Sequence, residues 1–315
     1  MIISASRRTD LPAYYSEWLM NRIRAGYCLV PNPFNRRQVT RVSLLPCDVE
    51  AFVFWTRDAR PMMGFLRELD EMGHRYMFLV TLVDYPRALG PGDLPVEAAI
   101  DMVRRLANAI GPDRVVWRYD PIVFSNVTDR AFHIARFGYL AGNLRGSTRR
   151  VIVSGMSLYR KNRGRLQELS RDGIVIKPKG EIVESEIAKL LSAMVETAGA
   201  NGIELVSCAE ALDWRRFGVE PGRCIDNELI GRVFGVQVDG RKDPGQRPEC
   251  RCVVSRDIGV YDTCIRGCPY CYAVSDLDAA KEKHALHDPF GPCLVRVPDD
   301  SVLAGPGCVN GRLMH

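Results

Sequence analysis

Short, almost wholly apolar runs recur through the first two-thirds of the chain, at 2–6, 51–56, 76–83, 114–119, 150–154 and 203–208. Few polar residues alternate within them, the pattern of parallel strands buried on both faces. Between these runs the apolar residues change to helical spacing. The stretch 16–25 opens on Ser16, a capping residue type, and stops at Gly26. Residues 61–72 begin at Pro61, favoured in a first helical turn, and end before Gly73. In 95–110, Val96, Ile100, Val103, Ala107 and Ile110 share one face, and Gly111-Pro112 ends the pattern. Stretches 129–144 and 184–198 read the same way. Six strands alternating with helices predict an α/β fold, a full or partial parallel (β/α) TIM-like barrel.

Polar residues stand where each predicted strand would end. Arg7, Arg8 and Asp10 follow the first, Arg57 and Asp58 the second, and Asp84 the third. Arg118 and Asp120 close the fourth, Ser154 the fifth, and Cys208 and Glu210 the sixth. In a parallel barrel such ends share one rim, where active sites are built. Any single charge there also serves as a loop ion pair, so the recurrence is the signal.

The character changes at Pro221. Segment 235–250 (GVQVDGRKDPGQRPEC) is polar, rich in Gly and Pro, and predicted to be irregular. Residues 275–287 read as one further helix. The expected organisation is a barrel over 1–220, a cysteine-rich iron–sulfur segment packed on it over 221–290, and an extended tail over 291–315.

Composition narrows the partners. Of 315 residues 46% are hydrophobic, enough for a substantial core, yet no apolar run has the length of a membrane span. The first residues run from an apolar stretch into Arg7 and Arg8, the reverse of a secretory signal, which predicts a cytoplasmic protein. A net charge of +5, from 43 basic and 38 acidic residues, is too small to argue for nucleic acid. In a reducing cytosol, cysteines clustered between 208 and 271 point to metal or redox chemistry rather than disulfides.

The sharpest motif is Cys264-Ile-Arg-Gly-Cys268-Pro-Tyr-Cys271, a CxxxCxxC pattern. Gly267 and Pro269 oppose a continuous helix, which predicts a loop wrapping three thiolates around an inorganic core. Three cysteines hold three irons of a 4Fe–4S cluster and leave the fourth open, by the logic of a catalytic zinc site. An open iron can chelate the amino and carboxylate groups of S-adenosylmethionine, and reductive cleavage then yields a 5′-deoxyadenosyl radical. Tyr270 is placed to pack against the adenine, or to serve as a plain hydrophobic anchor. Structural zinc is the competing reading, with a fourth ligand from His284, Cys293 or Cys252.

The spacing and the aromatic residue match the radical S-adenosylmethionine signature. The chain further resembles a bacterial family of unknown function whose radical-SAM-like cysteines lie near the C-terminal end. The stretches that carry this resemblance are SASRRTD (4–10), FWTRD (54–58), WRYDPI (117–122), CAE (208–210), GRCID (222–226) and CRCVVSRDIGVYDTCIRGCPYCYA (250–273). The resemblance implies a circularly permuted radical SAM barrel, in which the cluster loop follows the barrel in sequence and precedes its first strand in space. It implies no particular reaction.

Cys208, Cys224, Cys250 and Cys252 match the same family pattern. Four thiolates would complete either a second 4Fe–4S cluster or a zinc tetrahedron, or the cysteines stand independently. Cys28, Cys47, Cys293 and Cys308 read as structural or incidental. For S-adenosylmethionine, Arg7, Arg8 or Arg118 could pair with the carboxylate, and Asp10 or Asp120 could accept from the ribose or amino group. Asp257, followed by Gly259, is expected to shape the cluster loop. His74 and His133 are weak metal candidates.

The expected function is therefore a radical SAM enzyme that acts on an unknown substrate and takes its electron from a protein such as flavodoxin or ferredoxin. The cluster spacing resembles that of photoproduct-repair lyases, which keeps a nucleic-acid substrate open; no membrane partner is expected. Two other classes compete: a non-catalytic iron–sulfur protein for electron transfer or redox sensing, and a zinc-stabilised barrel hydrolase.

Overall fold

The computed structural model describes residues 1–298 and the short strand Val302–Leu303. Within the predicted tail, 299–301 and 304–315, Cys308 included, lie outside the described residues.

The fold is α/β, with an eight-strand parallel sheet flanked by helices. In chain order the strands are β1 (Ile2–Ala5), β2 (Tyr27–Pro31), β3 (Gln38–Ser43), β4 (Ala51–Thr56), β5 (Tyr76–Thr81) and β6 (Val115–Ile122). They continue with β7 (Arg150–Gly155), β8 (Glu204–Ser207), β9 (Glu220–Pro221), β10 (Arg256–Asp257) and β11 (Val302–Leu303). The helices are α1 (Leu11–Tyr14), α2 (Ser16–Ala25), α3 (Arg60–Met63), α4 (Leu66–Glu71) and α5 (Val96–Ile110). After them come α6 (Arg130–Leu144), α7 (Arg163–Arg171), α8 (Glu184–Ala200), α9 (Asn227–Phe234) and α10 (Leu277–Ala285).

Two compact units divide the chain. One holds Met1–Met77, Ser255–Ile265 and the described residues from Ala273; the other holds Phe78–Val254 and Arg266–Tyr272. In the first, β1 lies between two parallel neighbours. Ile2 to Ala5 pair with Ala51 to Phe54 of β4, and Ile3 and Ser4 pair with Arg256 and Asp257 of β10. Every residue of β1 and β4 is buried, as their unbroken apolar runs require. A separate antiparallel hairpin joins β2 to β3, and β11 runs parallel beside β3.

In the second unit, β6 pairs in parallel with β5 and β7, and β8 with β7 and β9. Helix α5 buries Ala99, Ile100, Val103, Leu106, Ala107 and Ile110 along one face. Asp129 caps α6, accepting from Phe132 N at 2.8 Å, and Asp226 caps α9 through Glu228 N and Leu229 N.

Two local expectations need correction. Ser16 does not cap α2: the Tyr15 carbonyl takes the first helical bond, from Leu19 N at 2.9 Å, so Ser16 is already inside the helix. The cause is α1, which the sequence pattern missed and which ends one residue before Tyr15. The helix expected over 61–72 is two, α3 and α4, because Phe65 N bonds Met62 O in a tight turn across Gly64. The β2–β3 hairpin, α7 and α9 were not anticipated either. Only Leu166 and Leu169 of α7 are buried apolar residues, too few to impose a visible period.

Candidate functional site

In the first unit, Asp257 of β10 is the hub of the strand ends. Its carboxylate accepts from Ser4 Oγ at 2.9 Å, Ser6 Oγ at 2.7 Å, Arg7 N at 2.8 Å and Gly259 N at 3.0 Å. It thus ties β10 to the turn that follows β1. Gly259 sits so close that a Cβ there would meet Ser6 Oγ at 2.0 Å. Arg8 donates to Gly259 O at 3.2 Å and lies over the Tyr261 ring, while Arg7 lies over Trp55. Asp10 is occupied by the backbone: Oδ1 accepts from Ala13 N at 3.1 Å and Oδ2 from Arg57 N at 2.9 Å.

The CxxxCxxC motif lies on irregular backbone, with Gly267 at φ +83° and Cys271 N bonded to Cys268 O at 3.1 Å. All three cysteines are half-buried. On the Cys264 side, Tyr15 OH donates to Thr263 O at 2.7 Å, and burial followed by the nearby Cys264 pushes the Tyr15 phenol well up. On the Cys271 side, Arg165 of α7 donates to Pro269 O at 3.2 Å and to Cys271 O. Asn162 donates to Tyr270 O at 3.0 Å, and the Tyr270 ring meets Tyr85 edge-on at 5.9 Å. Arg266 donates to Gly92 O at 2.6 Å, an approach that a Cβ on Gly92 would block.

The other strand ends of the second unit pair among themselves. Arg118 forms an ion pair with Asp120, which also accepts from Ser154 Oγ. Arg118 reaches Thr81 Oγ1 as well, at 3.4 Å. Glu210 pairs with Lys179 and accepts from Gly155 N at 2.8 Å; Asp84 pairs with Arg136 at 3.0 Å. His133 is a core residue, its ring nitrogens bonded to Tyr119 OH at 2.8 Å and Val123 O at 3.0 Å. Burial lowers its pKa to about 4. His74 is buried as well and likewise held neutral by desolvation.

Cys208, Cys224, Cys250 and Cys252 are brought together. Cys224 donates to Cys208 across 3.1 Å, Cys252 hydrogen-bonds to both, and Cys250 hydrogen-bonds to Cys252. Bonds from Cys224 and Cys252, and then burial, hold the Cys208 thiol well above its usual range. Cys28 and Cys293 are buried neighbours, and Cys47 is exposed.

Among the described residues no set of three or more His, Cys, Asp or Glu side chains is gathered to hold a metal ion as it stands. For the motif loop, the donor chemistry suits a cluster whose thiolates bind separate irons: three half-buried thiols on backbone too irregular for a helix, with its carbonyls held by Arg165 and Asn162. Arg165, Asn162 and Lys179 carried no sequence signal, because nothing in their local pattern ties them to the residues they reach.

Among the described residues no helix is long and apolar enough to cross a membrane. No curated protein matches the chain. A family model described as a domain of unknown function, DUF1848, matches residues 2–273, and the chain belongs to that family.

Proposed function

We propose that this protein is a cytoplasmic radical S-adenosylmethionine enzyme acting on a still unidentified substrate, its 4Fe–4S cluster held by Cys264, Cys268 and Cys271. The observation that carries this reading is the place of β10. The motif begins seven residues after Asp257, and the strand that leads to it lies in parallel beside β1. The loop proposed to hold the cluster, though late in the sequence, thus follows a strand that lies next to the first one. A circularly permuted, full or partial barrel would place its cluster loop in this way.

Held by Cys264, Cys268 and Cys271, a 4Fe–4S cluster would supply the one-electron reduction by which S-adenosylmethionine is cleaved. The chain's own residues fix the loop. Asp257 sets the turn after β10, Arg165 and Asn162 hold the carbonyls from Pro269 to Cys271, and Tyr270, buried against Tyr85, acts as a hydrophobic anchor for the loop. Arg7 and Arg8, next to Asp257, are the cations closest in the chain to β1, and we assign the carboxylate of S-adenosylmethionine to this pair.

The test is electron paramagnetic resonance of anaerobically reconstituted, reduced protein with and without S-adenosylmethionine. A reduced-cluster signal that shifts on addition, with release of 5′-deoxyadenosine, supports the proposal. A cluster indifferent to S-adenosylmethionine turns the reading to electron transfer, and a protein holding zinc without iron or sulfide ends it.

A further inference from the structure

Four cysteines play no part in that reading, and they converge within the second unit from three stretches of chain. Cys208 follows β8, and its amide bonds Val153 O at 2.9 Å. Cys224 lies between β9 and α9, and Cys250 and Cys252 flank Arg251 at the end of the irregular segment. Cys224, Cys250 and Cys252 are no more than 5% exposed, and Cys208 is half-buried. Their sulfurs form a single hydrogen-bonded group, with 3.1 Å between Cys208 and Cys224.

We propose that Cys208, Cys224, Cys250 and Cys252 form a tetrathiolate site for one zinc ion, which fastens the irregular segment 235–252 to the ends of β8 and β9.

Sulfur spacing selects zinc over a second cluster. Four thiolates placed tetrahedrally at about 2.3 Å from zinc stand about 3.8 Å apart, so the closest pair has to open by roughly 0.7 Å. A cubane binds each thiolate to a different iron and spreads them well beyond hydrogen-bonding reach. Sulfurs already in mutual contact therefore suit one small ion. Two further features fit. Ile225 N donates to Cys252 Sγ at 3.4 Å, the outer-shell support that a thiolate ligand takes. Arg118 lies near enough to act electrostatically on Cys224, where it would offset the negative charge of a zinc tetrathiolate.

The segment's own bonding shows what the ion would add. Between α9 and Cys250 it has no helix or strand longer than a single bridge, Lys242 to Val253. Most of its ties are short-range, such as Arg241 to Asp239 at 2.6 Å and Gly245 N to Asp243 at 2.9 Å, and its long reach, Arg247 to Ser157 Oγ, is at 3.4 Å and exposed. Asp243 N to Cys252 O, at 2.9 Å, connects it to the cysteines themselves. A closed metal site at that point supplies the long-range anchor that so polar a sequence cannot draw from apolar burial.

This inference is independent of the cluster proposal, and the experiment keeps the two apart. The full chain carrying Cys264→Ala, Cys268→Ala and Cys271→Ala is purified anaerobically, analysed for zinc, iron and sulfide, then exchanged with Co²⁺. About one zinc per chain is expected, replaced by cobalt with the visible absorption of a tetrahedral site and the charge-transfer intensity of four thiolates. Adding Cys250→Ser and Cys252→Ser should remove the metal. If that variant does not fold, the cobalt spectrum of the parent decides alone. Iron with matching sulfide in the parent, an intensity of fewer than four thiolates, or a metal-free protein with freely reacting or disulfide-linked cysteines would each overturn the site.

Discussion

Ser6 and Asp257 meet through a 2.7 Å hydrogen bond although 251 residues separate them in the chain. The same carboxylate gathers Ser4 Oγ and the amides of Arg7 and Gly259, so one side chain fixes both the turn after β1 and the start of the loop toward Cys264.

Removing that carboxylate by Asp257→Ala leaves four partners unanswered. The expected loss is about 3 kcal/mol, since bonds to a charged acceptor contribute more than neutral ones and the donors are only partly reachable by water. Asp257→Asn, which keeps one acceptor, should lose less. Urea unfolding checks both; a midpoint within error of the parent for Asp257→Ala would show that the hub is dispensable.

Glycine substitutions should separate by place. Gly259→Ala puts a methyl 2.0 Å from Ser6 Oγ and 2.6 Å from Ser6 Cβ, and should cost about 2 kcal/mol or more. Gly199→Ala, on α8 with nothing within 4 Å of the added carbon, should stabilise by about 0.5–1 kcal/mol. Melting curves of the two variants should thus move in opposite directions.

His133 gives the fold an acid limit. Its pKa falls from 6.5 to about 4 because burial penalises the imidazolium, so the unfolded chain binds the extra proton first as pH drops. Stability from this residue is complete above pH 6.5 and declines toward pH 4, by about 3 kcal/mol over the window. His74, His284 and His287 are lowered in the same sense, chiefly by burial, and steepen the trend. Denaturation of the parent and of His133→Gln across that range should show a shallower pH slope in the variant; equal slopes would move the effect elsewhere.

The motif loop yields a graded series. Each of Cys264→Ala, Cys268→Ala and Cys271→Ala should abolish S-adenosylmethionine cleavage, and full activity in any of them would refute the cluster assignment. Arg165→Met removes the donor to Pro269 O and Cys271 O without touching a thiol. It should fold, retain less iron after reconstitution, and cleave at least several-fold more slowly. Iron content and 5′-deoxyadenosine release distinguish the two effects.

Strand positions were largely legible from the sequence because burial on both faces writes itself as unbroken apolar runs, as in Ala51–Thr56. Segments whose support comes from elsewhere were not. Arg256 and Asp257 make a strand of two residues whose pairing rests on Ile3 and Ser4, so no local period announces it. Helix α7 is polar but for Leu166 and Leu169, and its Arg165 matters through carbonyls about a hundred positions later. Spacing singled out Cys264, Cys268 and Cys271, and a family resemblance grouped Cys208, Cys224, Cys250 and Cys252; the contact between Cys208 and Cys224 needed coordinates. The polar strand ends show the same division, since Arg118 beside Asp120 was foreseeable while Lys179 against Glu210 was not.

The pairing of β10 with β1 also sets an order of events on the ribosome. Ser4 is synthesised 253 residues before Asp257, an interval of roughly 13–50 s at common elongation rates. Throughout that time β1 can take β4 on one side while its other edge has no partner. An open edge of buried, apolar sequence is a template for wrong pairing. Nascent chains should therefore depend on holding chaperones until the two late residues arrive to close it.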